Sequence, residues 1–166
     1  MNGRRKAHRD DGPRHAPTLS RRIAAPADAV WEVFADGWSY AGWVVGTSRV
    51  RAVDRAWPAA GSRIGHSFGP WPLIIQDYTR VERCDPAEDL VLTARAWPVG
   101  EARVHLHVDP DGAESCVVSI TEDASSGPGT LLPRPLRHLI LVPRNRETLN
   151  RLALIAEGRH REPTKR

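Results

Sequence analysis

Four polar side chains interrupt otherwise apolar strand faces, and chemistry could begin at them. Along an extended segment every second residue points to the same side. Ile64, His66 and Phe68 therefore share one face, as do Leu73, Ile75, Asp77, Thr79 and Val81. The same alternation groups Leu90, Leu92, Ala94 and Ala96, then Val104, Leu106 and Val108, then Cys116, Val118, Ile120 and Glu122. His66, Asp77, Thr79 and Glu122 are the polar members of these sets. A carboxylate among apolar neighbours needs a partner or a proton. Three uses stay open: an ion pair that ties two elements together, polar recognition of a ligand, and general acid–base catalysis. In the last, His66 moves the proton, Asp77 orients it and Glu122 is a further candidate.

His105 and His107 lie on the other face of their strand, beside Arg103. Two histidines at i, i+2 could supply half a metal site. No third ligand stands at a suitable spacing, so they read as a solvent-facing pair and no metal is expected. No Gly-x-Ser-x-Gly elbow, Gly-x-Gly-x-x-Gly turn or P-loop is read from the sequence, so a serine hydrolase and nucleotide binding are not expected, nor is a cofactor.

The elements that must position these residues follow from pattern and punctuation. Thr18 to Ile23 reads as a first strand. Ala27, Val30, Trp31 and Phe34 recur at helical spacing behind Pro26, with Asp28 in the first turn, and Asp36-Gly37 ends that helix. A second short helix spans 39–45 and closes at Gly46. Strands are then expected over 49–56, 63–68, 73–82, 90–96, 102–108 and 115–121, divided by turn residues such as Asp109-Pro110-Asp111-Gly112. The gaps are too short for helical crossovers, so the sheet must be an antiparallel meander. Leu136 to Val142, and then Asn145, Leu149, Leu152, Ala153 and Ala156, continue as helix to Gly158. Pro143 is expected to kink or break it.

With 166 residues, 40% of them hydrophobic, one domain can bury its own core, and two cysteines form no disulfide framework. The net charge of +4 sits at the ends. Residues 1–16 read as a disordered basic leader (Arg4, Arg5, Lys6, Arg9, Arg14), 17–158 as the folded domain, and 159–166 as a disordered basic tail. What remains between them is slightly acidic, so a specific nucleic-acid face is not expected. The basic ends could make weak contact with a membrane surface. No run is long and apolar enough to span a bilayer, and no secretory signal is evident, so a cytoplasmic setting is expected.

The run Ile23-Ala24-Ala25-Pro26-Ala27-Asp28-Ala29-Val30-Trp31 resembles the opening of START-like SRPBCC proteins, the superfamily that includes polyketide cyclases/dehydrases and lipid carriers. Asp36 to Thr47, Trp57-Pro58, Gly61-Ser62, His66, Pro72-Leu73, Asp77 to Val81 and Arg144-Asn145-x-x-Thr148-Leu149 resemble one bacterial, mainly actinobacterial, branch. The resemblance covers about residues 18–158. It implies an α+β helix-grip fold: a curved antiparallel sheet of six to seven strands around a long C-terminal helix, with two short helices after the first strand. It also implies a pocket between sheet and helix. In that geometry Arg144 is the nearest cation for Asp77 or Glu122. Tyr40, Trp43, Ile64, Phe68, Ile75, Leu92, Leu106, Val118, Arg144, Leu149 and Leu152 are the expected ligand-binding residues, Tyr40 and Trp43 acting either as a lid or as hinge packing. The partner implied is a small hydrophobic molecule: a lipid, a quinone or a polyketide-like compound. A binder, a cyclase- or dehydratase-like enzyme, and an interaction module with a filled cavity all fit. Nothing in the sequence fixes an oligomeric state.

Overall fold

The computed structural model describes residues 16–69, 71–96 and 100–162. Residues 1–15 of the leader, Pro70, residues 97–99 and the last four residues of the tail lie outside the described residues. Seven strands run β1 Thr18–Ile23, β2 Thr47–Val53, β3 Arg63–Phe68, β4 Ile75–Asp85, β5 Asp89–Ala96, β6 Gly100–Pro110 and β7 Cys116–Ser126. They form one antiparallel sheet in the order β1-β7-β6-β5-β4-β3-β2. Between β1 and β2 come α1 (Ala27–Ala35), a 3-10 turn (Gly37–Ser39) and α2 (Tyr40–Trp43). A second 3-10 turn (Pro128–Leu131) leads into α3, Arg134–Arg161. This is the helix-grip arrangement.

The register carries the alternation of the sequence into three dimensions. Ile64 stands opposite Thr79, Val81 opposite Leu92, Leu90 opposite Leu106 and Leu106 opposite Ile120. Residues that face each other across an antiparallel pair point to one side of the sheet. That side carries the core: Ile64, Leu90, Leu106 and Val118 are fully buried with Ile23, Val30 and Phe34. Each such side chain contributes roughly 1.5–3 kcal/mol of burial free energy. β2 starts and stops earlier than its composition implies, and register irregularities between Thr47 and Arg49 and between Val50 and Ala52 break its two-residue period.

α1 begins one residue after Pro26, whose carbonyl accepts the Ala29 N–H at 3.0 Å. Its buried stripe is Val30, Val33 and Phe34; Trp31 is only partly buried and meets the Phe34 ring in a T-shaped contact. Trp57 fastens the end of this helix by donating from Nε1 to the Phe34 carbonyl at 2.9 Å.

α3 is continuous through Pro143 and extends to Arg161, three residues beyond its expected end. Pro143 is exposed, so the hydrogen bond it cannot make is lost on the side where water can replace it. Residues 159–161, expected as tail, are helical and tethered: Arg159 pairs with Asp36 at 2.7 Å and His160 meets Glu114 at 3.0 Å. The helix has two halves. From Asn145 onward a buried stripe recurs at Thr148, Leu149, Leu152, Ala153 and Ala156. Before Asn145 no described side chain is buried, and Leu136, Leu139 and Ile140 are exposed.

Candidate functional site

The first half of α3 stands away from the sheet, and the space beneath it is a cavity of about 400 Å³. Its apolar wall comes from Leu92, Ala94, Val104, Leu106 and Ile120 on the sheet, with Phe68, Trp43 and Val44 toward β2 and Ile140 and Leu141 from α3. Bulky side chains therefore line the space without filling it. Gly46 is required here: its φ is +97°, and a Cβ would lie 2.3 Å from the Phe68 ring.

The polar groups fall into two constellations. In the first, the Tyr40 hydroxyl meets Thr79 Oγ1 at 3.0 Å, and Thr79 Oγ1 meets His66 Nε2 at 3.0 Å. Tyr40 also stacks over the His66 ring, with centroids 5.6 Å apart. All three residues are buried and line the cavity. Burial pushes the Tyr40 phenol up to about 12. Burial lowers the His66 imidazole below its usual range, with Asp77 opposing and Arg51 assisting. Both groups are therefore neutral at physiological pH, and the chain can pass a proton along its length.

In the second constellation Glu122 on β7, 3% exposed, accepts from Arg144 on α3, and both face the cavity. Arg137, one and a half to two turns earlier, donates to Asp123 at 2.7 Å. Of the two carboxylates weighed for Arg144, Glu122 is the one it bonds. Asp77 stands opposite His66 in the register, yet it lies off the cavity wall, with Oδ1 accepting the Tyr78 N–H at 2.9 Å.

Of the expected ligand-binding residues, Tyr40, Trp43, Phe68, Leu92, Leu106 and Arg144 line the cavity, together with His66 and Glu122. Tyr40 and Trp43 are buried wall, 4% and 2% exposed. Ile64, Val118, Leu149 and Leu152 pack in the core below the cavity, and Ile75 also lies outside its lining. The sequence reading passed over Arg137, Leu141, Asn145 and Thr148, although their spacing along α3 places them on one helical face.

Two other sequence readings need correcting. His105 and His107 do not face solvent as a free pair: they donate to Asp89 Oδ1 at 2.6 and 2.9 Å, and Asp89 is 5% exposed. Among the described residues no group of three or more His, Cys, Asp or Glu side chains could hold a metal ion. The run Gly65-His66-Ser67-Phe68-Gly69 does spell Gly-x-Ser-x-Gly. It lies along β3 rather than at a strand-to-helix turn, and Ser67 points to the sheet face opposite His66, so it forms no nucleophile elbow.

Comparison with known proteins agrees with this architecture. No curated protein matches the chain. Among solved structures, the ZhuI aromatase/cyclase from Streptomyces sp. R1128 superposes with a TM-score of 0.66 at 21% identity, covering 86% of this chain and 93% of that one. A START superfamily protein from Mycobacterium smegmatis gives 0.64 at 18%, covering 90% and 99%. Norcoclaurine synthase from Thalictrum flavum, in complex with dopamine and hydroxybenzaldehyde, gives 0.63 at 14%, covering 86% of each chain. At these identities the likeness speaks for the fold alone. The model of the family described as polyketide cyclase / dehydrase and lipid transport matches residues 14–157, so the chain belongs to that family, within the START-like superfamily.

Proposed function

We propose that this chain holds a small hydrophobic or aromatic molecule between its sheet and α3, as a lipid, quinone or polyketide-like binder. The observation that carries the reading is the cavity itself: about 400 Å³, mainly apolar, with a few converging polar groups. That combination is what small-molecule sites share. The test is native mass spectrometry on protein purified gently from its host, followed by organic extraction. A co-purifying apolar mass supports the binder. A clean apo mass, with no uptake from a lipid and quinone extract, overturns it and favours an interaction role.

A second reading, a cyclase- or dehydratase-like enzyme, is favoured by the Tyr40–Thr79–His66 chain. It joins a neutral imidazole to a phenol on the cavity wall, as proton transfer to or from a bound ligand requires. Asp77, off the cavity, would act by its charge on His66; Glu122, engaged by Arg144, would position rather than react. With the extracted molecule as substrate, His66→Ala should abolish turnover while affinity stays within about tenfold, or roughly 1.4 kcal/mol. Retained turnover would remove His66 from the mechanism.

The free cysteines, Cys84 and Cys116, support a reducing, cytoplasmic setting. The described residues contain no helix long and apolar enough to cross a membrane. Weak contact of the basic ends with anionic membranes is part of the proposal. Sedimentation with phosphatidylserine vesicles at physiological salt checks it, and a protein that stays in the supernatant refutes it.

A further inference from the structure

The cavity wall gathers buried polar atoms with no hydrogen-bond partner among the described residues. They are Trp43 Nε1, His66 Nδ1, Arg137 Nε, Arg144 Nε and both amide atoms of Asn145. All five residues line the cavity. The two arginines already spend other nitrogens on Asp123 and Glu122, and His66 spends Nε2 on Thr79. Asn145 differs from them. It is 1% exposed, and neither its carbonyl oxygen nor its amide nitrogen has a partner.

A buried amide left unsatisfied at both ends is costly, and an apolar side chain of the same size would avoid the cost. Apart from Thr148, the rest of the α3 stripe takes that course, with Leu149, Leu152, Ala153 and Ala156. Asn145 heads the stripe, where the helix leaves the core and begins to roof the cavity. One turn on, Thr148 Oγ1 accepts the Val45 N–H at 3.3 Å, which holds the end of α2, and with it Trp43, against α3. An amide at this position offers a donor and an acceptor side by side, with the Trp43 N–H as a second donor on the same cavity.

Both cavity arginines on α3 are already paired: Arg144 with Glu122, and Arg137 with Asp123, which lies just outside the lining. Arg95 lies over the Tyr78 ring and stands opposite Glu101 in the β5–β6 register. The site therefore offers no surplus charge to an ionic ligand. We infer that Asn145 is the residue that selects the ligand, and that the ligand is a neutral molecule presenting a hydrogen-bond donor beside an acceptor on an apolar body. A primary amide, a lactam and an un-ionised hydroxy-carbonyl edge all belong to that class. This rests on the reading of the cavity as a binding site and adds what the site discriminates.

Isothermal titration with three probes of one shape separates the two claims: 2-naphthamide (donor and acceptor), methyl 2-naphthoate (acceptor only) and naphthalene (neither). Wild-type protein should bind the amide at least about tenfold more tightly than the ester, because a site built around paired polar groups rejects an analogue that leaves them bare. Asn145→Leu should bring the two within about threefold of each other, mainly by weakening the amide. Equal affinities in the wild type, or a preference that survives in Asn145→Leu, overturn the inference and leave the cavity a binding site. Failure of all three probes overturns the binding reading, and the inference with it. A measurement without ligand stands beside this: the urea midpoint of Asn145→Leu should equal or exceed that of the wild type. A clear fall would assign Asn145 a structural duty and overturn the inference independently.

Discussion

The Glu122–Arg144 pair is the most informative place to perturb, because it joins sheet to helix and borders the cavity. Replacing Arg144 by Met keeps most of the stem volume and removes the charge. Glu122, 3% exposed, is then a carboxylate with its charge partner gone. Breaking a fully buried pair in this way costs about 3–5 kcal/mol. The Arg144 side chain is 28% exposed, so water relieves part of the loss, and about 2–3 kcal/mol is expected. With a urea m-value of roughly 2 kcal/mol/M, the midpoint should fall by about 1–1.5 M. Glu122→Leu leaves Arg144 free to turn toward solvent and should cost less. The double variant, Arg144→Met with Glu122→Leu, should recover to within about 1 kcal/mol of wild type, since an apolar pair of similar volume replaces a buried ion pair at little net cost. Urea unfolding followed by tryptophan fluorescence gives all four corners of the cycle. If Arg144→Met loses less than about 0.5 kcal/mol, or if the two single losses simply add, the pair does not tie α3 to β7 and the argument fails.

Three further outcomes follow from other parts of the structure. Gly46→Ala forces a Cβ into the Phe68 ring at positive φ and should cost about 1–3 kcal/mol; an unchanged melting temperature would contradict the close approach. Burial acts to raise the Asp89 carboxyl, but the His105 and His107 hydrogen bonds outweigh it and hold it below the usual range. Asp89 thus contributes stability that is present above its unfolded value of about 3.9 and is lost as pH falls through its folded one. Asp89→Asn should flatten that acid limb in denaturation curves taken between about pH 5 and pH 2, and an unaltered limb would refute the assignment. Burial pushes the Cys116 thiol up to about 11, and burial with the nearby Asp85 charge also raises the partly exposed Cys84. At neutral pH a thiol reagent should modify Cys84 first and Cys116 only on unfolding; prompt modification of both would show that β7 opens readily.

The strand faces were legible because a two-residue period survives wherever a strand is regular. Ile64, His66 and Phe68, or Val118, Ile120 and Glu122, read correctly as sets. What alternation cannot say is where along a face the helix rises off the sheet. Ile64 and His66 share a face, yet one packs in the core and the other borders the cavity, as do Val118 and Ile120. That division depends on the path of α3, which no single strand encodes. Expecting Pro143 to break α3 took the residue out of context, for a proline on an exposed helix face gives up a bond that water replaces. Asp89 was hidden for a related reason: it meets His105 and His107 only once the β5–β6 register is set. Asn145 looked like one more member of a helical stripe, and only the absence of partners around it marks it out.

The two halves of α3 divide the work of the chain between different residues. From Leu149 to Ala156 the buried stripe of the helix is committed to the core, and most changes to it alter the fold. Arg137, Ile140 and Leu141 touch the cavity from a stretch without a buried side chain. Their identity can drift with little effect on folding while the shape of the roof changes. A single scaffold can thus be recut for new ligands from one end of one helix, and divergence among relatives should concentrate there before it reaches the sheet.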